Sequence, residues 1–310
     1  MRGSIIKKIW YAVLLILLIF VLSRFNFQHL VYSVQKIHVL SIVLLIGLQL
    51  ISQLLLNIQW HQTTKLSNIN ISFRKMLYIN CQGSVVDGIT PGVKFGGEAT
   101  RAVQISRFAD CSKECAAAVV AMQKIFSMGA FLFLYMVSLF FVAESMPYLW
   151  LTVLIITVLI LVAVAIIYIF KSKIKGFIFV MRQQMKTLRS NPKVCILLAL
   201  LSIFLWLLYP FKMYILTITI MPDINFIYIT AITFSAYIIA MIPIFPGGLG
   251  GYEATMVTLL VTLGAIQSNA LVVTALFRFT TFWLVMLFSL IFVGFFKVVQ
   301  KHKVYKNTCS

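Results

Sequence analysis

Two carboxylates and two cations stand out because each interrupts apolar sequence. Glu253 sits between residues 224–252 and 254–277, two stretches with no Asp, Glu, Lys or Arg, and Arg278 follows it by 25 residues. Glu98 and Lys124 repeat the arrangement at a separation of 26. Such pairs can hold an ionic ligand. Arg grips two phosphate oxygens with its planar fork, and Lys offers a point charge. A carboxylate accepts from an ammonium or, without ligand, from the neighbouring cation. An Arg, Lys or Asp at the centre of a membrane helix costs roughly 2.5–3.5 kcal/mol, so cations there call for a partner or a task. A second reading of the acids stays open: Glu98 and Glu253 at helix starts would suit the positive end of the helix dipole. Arg101 and Asp87 join the candidates. Lys212, just after Pro210, is expected to snorkel to an interface.

The acids lie in two similar segments. Residues 91–100 read PGVKFGGEAT and residues 246–255 read PGGLGGYEAT; aligned without a gap, six of ten positions coincide. The backbone candidates are Gly83, Pro91, Gly92, Gly96 and Gly97 in the first segment. In the second they are Pro246, Gly247, Gly248, Gly250 and Gly251. Such residues let a chain turn inside apolar surroundings and bring backbone groups close to a ligand. The alternative is that they only pack two hairpins together.

The elements that must position these residues are membrane helices. Of the 310 residues, 62% are hydrophobic and 11% charged, against about 25% charged in a soluble domain. Residues 37–64 and 145–170 are further charge-free stretches, and roughly 20 apolar residues cross a bilayer. The fold expected is an all-α polytopic membrane protein, one integral membrane domain over 1–310. Six full spans fall at about 5–23, 39–60, 116–142, 148–170, 194–220 and 270–296. Residues 77–97 and 226–265, rich in Gly and Pro, are read as two re-entrant hairpins, the second with two full spans as its alternative.

Basic residues orient this layout. With the N-terminus inside, segments 1–8, 61–75, 94–115, 171–193 and 297–310 are cytoplasmic. Of 26 Lys and Arg, only Arg24 and Lys36 fall outside, and Lys124, Lys212 and Arg278 fall in spans. The other 21 lie inside, as the positive-inside rule requires. Residues 171–193 are read as a basic cytoplasmic loop, and both termini as cytoplasmic in the cell membrane. The units, about 39–142 and 194–296, then run in opposite senses, an inverted repeat of the kind transporters use.

Other classes fall away. The formal charge of +19 would suggest nucleic acid for a soluble chain, but here the basic residues gather in loops facing anionic lipid. Five cysteines show no paired framework, and His29, His38, His61 and His302 have no metal-ligand spacing. No phosphate loop or nucleophile elbow occurs. No metal, cofactor or nucleic acid is expected.

The motif Gly-x7-Pro-Gly-x3-Gly-Gly-Glu-x2-Arg, from Gly83 to Arg101, precedes Pro-Gly-Gly-Leu-Gly-x2-Glu, from Pro246 to Glu253, and a span with Arg278. Together they resemble the lysylphosphatidylglycerol synthase transmembrane region, also called the flippase-like domain family, over nearly the whole chain. The resemblance implies movement of a lipid such as lysyl-phosphatidylglycerol between leaflets, and a link to resistance to cationic antimicrobial peptides. Gln123-Lys124 departs from the family's frequent Glu-Arg. Full-length members add a soluble synthase domain, whereas this sequence stops about 14 residues after its last expected span. Aminoacyl transfer is therefore expected to need a separate synthase. A membrane enzyme or subunit of aminoacyl-lipid or lipid-linked glycan synthesis remains the alternative function. Self-association stays open.

Overall fold

The computed structural model describes residues 38–90, 95–170, 175–242 and 247–308, and no strand occurs among them. The expected span at 5–23, the N-terminus, Pro91, Gly92 and Pro246 lie outside the described residues.

Helix α1 (Val39–Leu66) shows how a bilayer protein distributes its side chains. Leu40, Val43, Leu44 and Leu54 point outward and exposed, while Gln49, Ser52, Asn57 and Gln59 are buried. Lipid solvates aliphatic surface at no cost, so polar groups that need partners turn inward. After α1 comes a broken hairpin, α2 (Phe73–Ile89) and α3 (Phe95–Ala109), and then the long α4 (Lys113–Val142). The Ser112 side chain caps α4 by accepting from the Cys115 amide at 3.2 Å. A 3-10 turn (Pro147–Leu149) leads into α5 (Trp150–Phe170), where the span at 148–170 was expected.

The second half repeats this order. An amphipathic helix, α6 (Lys175–Ser190), precedes the long α7 (Pro192–Thr217), which has Pro210 inside it. A second broken hairpin follows, α8 (Phe226–Met241) and α9 (Gly251–Thr262). Then α10 (Gln267–Arg278), a π-helical turn (Phe279–Trp283) and α11 (Leu284–Thr308) form one continuous rod. Among the described residues, four helices are long and apolar enough to cross a membrane: Val39–Leu66, Lys113–Val142, Pro192–Thr217 and Gln267–Val299. At about 1.5 Å per residue, each hairpin arm is shorter than the ~30 Å hydrocarbon core.

Two sequence expectations need correction. Residues 95–109, assigned to a cytoplasmic loop over 94–115, are helical, and Arg101 and Ile105 are buried. Arg101 faces the carboxylates of Asp87 and Glu98 rather than water, so polarity alone hid the helix. Residues 175–190, within the expected loop 171–193, form α6, whose apolar face packs against α4 and α7.

Packing crosses between the halves. The first arm of hairpin one, α2, lies against α11, the last helix of the second half. The first arm of hairpin two, α8, lies against α4, the last long helix of the first half. The leading helices α1 and α7 pack directly on each other. The larger apolar core gathers Phe131, Tyr135, Met213, Phe234, Tyr252 and Phe277, and a smaller one surrounds Trp60, Ile79 and Ile105.

Candidate functional site

The second hairpin turns through glycines. Gly247, Gly248 and Gly250 all have positive φ, the left-handed region that costs other residues. A Cβ on Gly248 would also lie 2.9 Å from the Ala240 carbonyl oxygen. This turn starts α9 with Glu253 in its first turn, where its Oε2 accepts from the Gly250 amide at 2.6 Å. The helix-start reading of Glu253 therefore holds, and the pairing holds with it. Arg278 Nε donates to Glu253 Oε1 at 2.7 Å. Arg278 Nη2 donates to the Gly247 carbonyl at 2.9 Å. The guanidinium lies between the rings of Tyr252 and Phe282, 4.9 and 4.7 Å from their centroids. The π turn begins at the next residue; such wide turns often mark functional positions.

The first hairpin builds a larger ionic group. Lys124 Nζ lies 2.8 Å from Glu98 Oε1, the counterpart of the Arg278–Glu253 contact. Arg101 Nη1 reaches both Glu98 Oε1 at 3.1 Å and Asp87 Oδ2 at 3.2 Å. Asp87 also accepts from the Gly97 amide at 3.0 Å, tying α2 to the start of α3. Glycine makes this fit possible. A Cβ on Gly83 would lie 2.6 Å from Arg101 Nε, and one on Gly97 would overlap the Asp87 carboxyl. Under the repeat alignment, Gly83, Asp87 and Arg101 correspond to Ile238, Ile242 and Met256. The extra ion pair thus belongs to one half and is replaced by apolar side chains in the other.

Both groups border one cavity of about 190 Å³. Asp87, Arg101 and Lys124 reach it from the first half, and Gly247, Gly248 and Arg278 from the second. Trp206, Tyr209 and Tyr237 supply an aromatic wall, with Met128, Met241 and Met286 around it. A smaller adjoining cavity of about 70 Å³ touches Glu98, Arg101, Lys124 and Ser52. Gly96 packs against Thr90, and Gly251 has no close neighbour that a Cβ would displace. Among the described residues no three His, Cys, Asp or Glu form a metal-sized group.

Lys212 contradicts its expectation. It does not snorkel: it is 0% exposed between α1 and α7. Its Nζ donates to Gln49 Oε1 at 2.6 Å and Ser52 Oγ at 3.1 Å, beside the Tyr209 ring. The reason is the polar stripe of α1, which supplies acceptors inside the protein. Gln59 of that stripe donates to Ser202 Oγ at 2.5 Å and accepts from Gln123 at 3.1 Å. Gln49, Ser52 and Gln59, at separations of 3 and 7, were visible in the sequence as one helix face. Trp206 and Tyr209 carried no comparable signal, since aromatic residues in a span are ordinarily packing.

These features define a multi-span α-helical membrane protein with two broken hairpins meeting at a charged, aromatic-walled cavity. The family model for the lysylphosphatidylglycerol synthase TM region matches residues 9–289, and the chain belongs to that family. A UPF0104 membrane protein of Methanothermobacter thermautotrophicus is 20% identical over 82% of this chain and 84% of its own length. A second UPF0104 membrane protein, from Pyrococcus horikoshii, is 24% identical over 78% of this chain and 83% of its own.

Proposed function

We propose that the chain binds a phospholipid or lipid-linked headgroup in the cavity between its hairpins and passes it between leaflets. One observation carries this reading: a single cavity is bordered by cations from both halves, Arg101 and Lys124 on one side and Arg278 on the other. In this reading the halves, about 39–142 and 194–296, are inverted in a chain of six spans. Their re-entrant hairpins open to opposite faces, so each leaflet reaches one ion-paired end. Aromatic and Met side chains would hold the glycerol and upper acyl region. Both termini and α6 face the cytoplasm, where the basic face of α6 meets anionic lipid. Lysyl-phosphatidylglycerol is the lipid that the family's name suggests.

The test is translocation of tail-labelled lipids by purified protein in vesicles. Wild type is expected to equilibrate labelled lipid between leaflets, and Arg278→Lys to slow this while keeping folded yield. Lys keeps the charge but loses the fork that spans Glu253 and Gly247. Translocation no faster than in empty vesicles would refute the reading. The word synthase in the family's name favours a second reading, a membrane subunit of aminoacyl-lipid or lipid-linked glycan synthesis. Formation of aminoacyl-lipid only when this chain and a soluble synthase are both present would support that instead.

A further inference from the structure

Helix α6 sorts its side chains onto two faces. Met181 and Leu188, on one face, pack into a cluster with Leu66 of α1, Met122 of α4 and Leu198 of α7. Lys175, Arg182, Lys186 and Arg189 follow one another at separations of 7, 4 and 3, which brings them into one stripe on the other face. All four are exposed, and so is Phe179 beside them. No Asp or Glu occurs in residues 175–193. Glu114 of α4 lies beside Gly176, ten residues before Lys186 and so roughly 15 Å away along the helix. A helix with an apolar face, a basic face and an exposed aromatic ring suits the plane of a membrane surface.

Only Asn191 separates α6 from α7. Its side-chain amide donates to the Thr187 carbonyl at 2.9 Å, and Pro192 opens the next helix, which fixes the junction. An open groove of about 510 Å³ lies there. Met185, Lys186 and Arg189 line it from α6, and Pro192, Cys195 and Ile196 from α7. None of its lining residues is acidic. Beyond Ile196, Leu200 and Phe204 are also exposed on α7, at steps of four residues that keep them on one face. Cations at one end and an apolar stripe down a span match an anionic lipid, with its phosphate above and its chain below. A soluble anion would use the cations alone. A zwitterionic lipid would bring an ammonium against them.

We propose that the junction of α6 and α7 is a binding site for one anionic phospholipid, with its phosphate at Lys186 and Arg189 and an acyl chain along Ile196, Leu200 and Phe204. This is a second lipid position, apart from the hairpin cavity. It rests on α6 lying at a membrane surface, not on movement of lipid through that cavity, so either reading can fail without the other. Cys195 reports on it, because the thiol is half-buried in the groove and a seated chain would cover it. Purified full-length protein in neutral detergent micelles, with its other four cysteines replaced by serine, is alkylated by N-ethylmaleimide. Phosphatidylglycerol, phosphatidylcholine or glycerophosphoglycerol, the first headgroup without acyl chains, is titrated in. Each rate is compared with that of the same variant without lipid.

Phosphatidylglycerol is expected to protect Cys195 at about tenfold lower concentration than phosphatidylcholine, a difference of ~1.4 kcal/mol, and glycerophosphoglycerol is expected not to protect it. Lys186→Gln combined with Arg189→Gln should raise the phosphatidylglycerol concentration for half-protection about tenfold. Both side chains are exposed, so the variant should fold; if it does not, Lys186→Gln alone and the wild-type ranking decide. Arg182→Gln, on the same stripe but outside the groove, should change half-protection far less. An equal effect of Arg182→Gln would reduce the groove to the general attraction of a basic surface and overturn the site. Unchanged protection in the folded double variant would overturn the part given to Lys186 and Arg189. Equal protection by phosphatidylcholine would overturn the anionic selection. Equal protection by glycerophosphoglycerol would make the ligand a soluble anion and overturn the lipid part. No protection by either lipid would overturn the site outright.

Discussion

At the scale of single residues, ion pairs hold each hairpin to the helix that follows it. Glu253 does two jobs, capping α9 through Gly250 and orienting Arg278. Glu253→Ala removes both acceptors and leaves the guanidinium with Gly247 alone among its described hydrogen bonds. The expected loss is roughly 1.5–3 kcal/mol, the range for hydrogen bonds to charged groups, read as a lower midpoint in thermal unfolding in detergent. Glu253→Gln keeps one acceptor and should lose less. Gly83 offers a second test. Gly83→Ala places a methyl against Arg101 and should cost about 1–3 kcal/mol by overpacking. Gly129→Ala, on α4 with open space around it, is the control. The acid–cation separations of 26 and 25 residues made the Glu98–Lys124 and Glu253–Arg278 pairs legible in sequence. The bridge from Asp87 to Arg101 was not legible as a contact. It depends on Gly83 and Gly97 lying at the crossing of two arms, which spacing along one strand of text does not reveal.

At the scale of elements, the glycine turn of hairpin two combines left-handed backbone with close approach. Gly248→Val should destabilise the hairpin, by more than the roughly 0.4–1 kcal/mol that replacing a Gly gains at a compatible position. The left-handed φ and the contact with the Ala240 carbonyl both oppose a side chain. Gly251→Ala, which has room, should be tolerated. Folded yield by size-exclusion chromatography checks the contrast. Long apolar helices were readable because composition alone signals them: the expected spans at 39–60, 116–142 and 270–296 lie within three of the long apolar helices, and that at 194–220 overruns the fourth, Pro192–Thr217, by three residues. Helix α3 was missed for the converse reason. Glu98 and Arg101 look like loop residues until neighbouring helices supply Lys124 and Asp87 as their partners. Helix α6 was hidden in a basic stretch whose apolar residues, spaced to one face, serve packing against α4 and α7.

At the scale of the molecule, the proposed cytoplasmic position of α6 has a direct test. Gln183 is exposed on α6. Gln183→Cys, in a chain whose native cysteines are replaced by serine, should react with membrane-permeant but not impermeant maleimide in intact cells. Labelling by the impermeant reagent would reverse the assigned orientation.

The reciprocal packing of α2 on α11 and of α8 on α4 has a consequence for assembly. Each half lends an arm to the other, so neither owns a finished interior. A chain divided at 171–174 and made as two polypeptides should yield stable protein only when both are produced together, with each fragment alone cleared by proteases. Co-purification of the two, at the abundance of the undivided chain, would show that the covalent link is dispensable and the exchange of arms is not. The same exchange makes the molecule a linkage in the mechanical sense: tilting α4 carries hairpin two with it, and tilting α11 carries hairpin one.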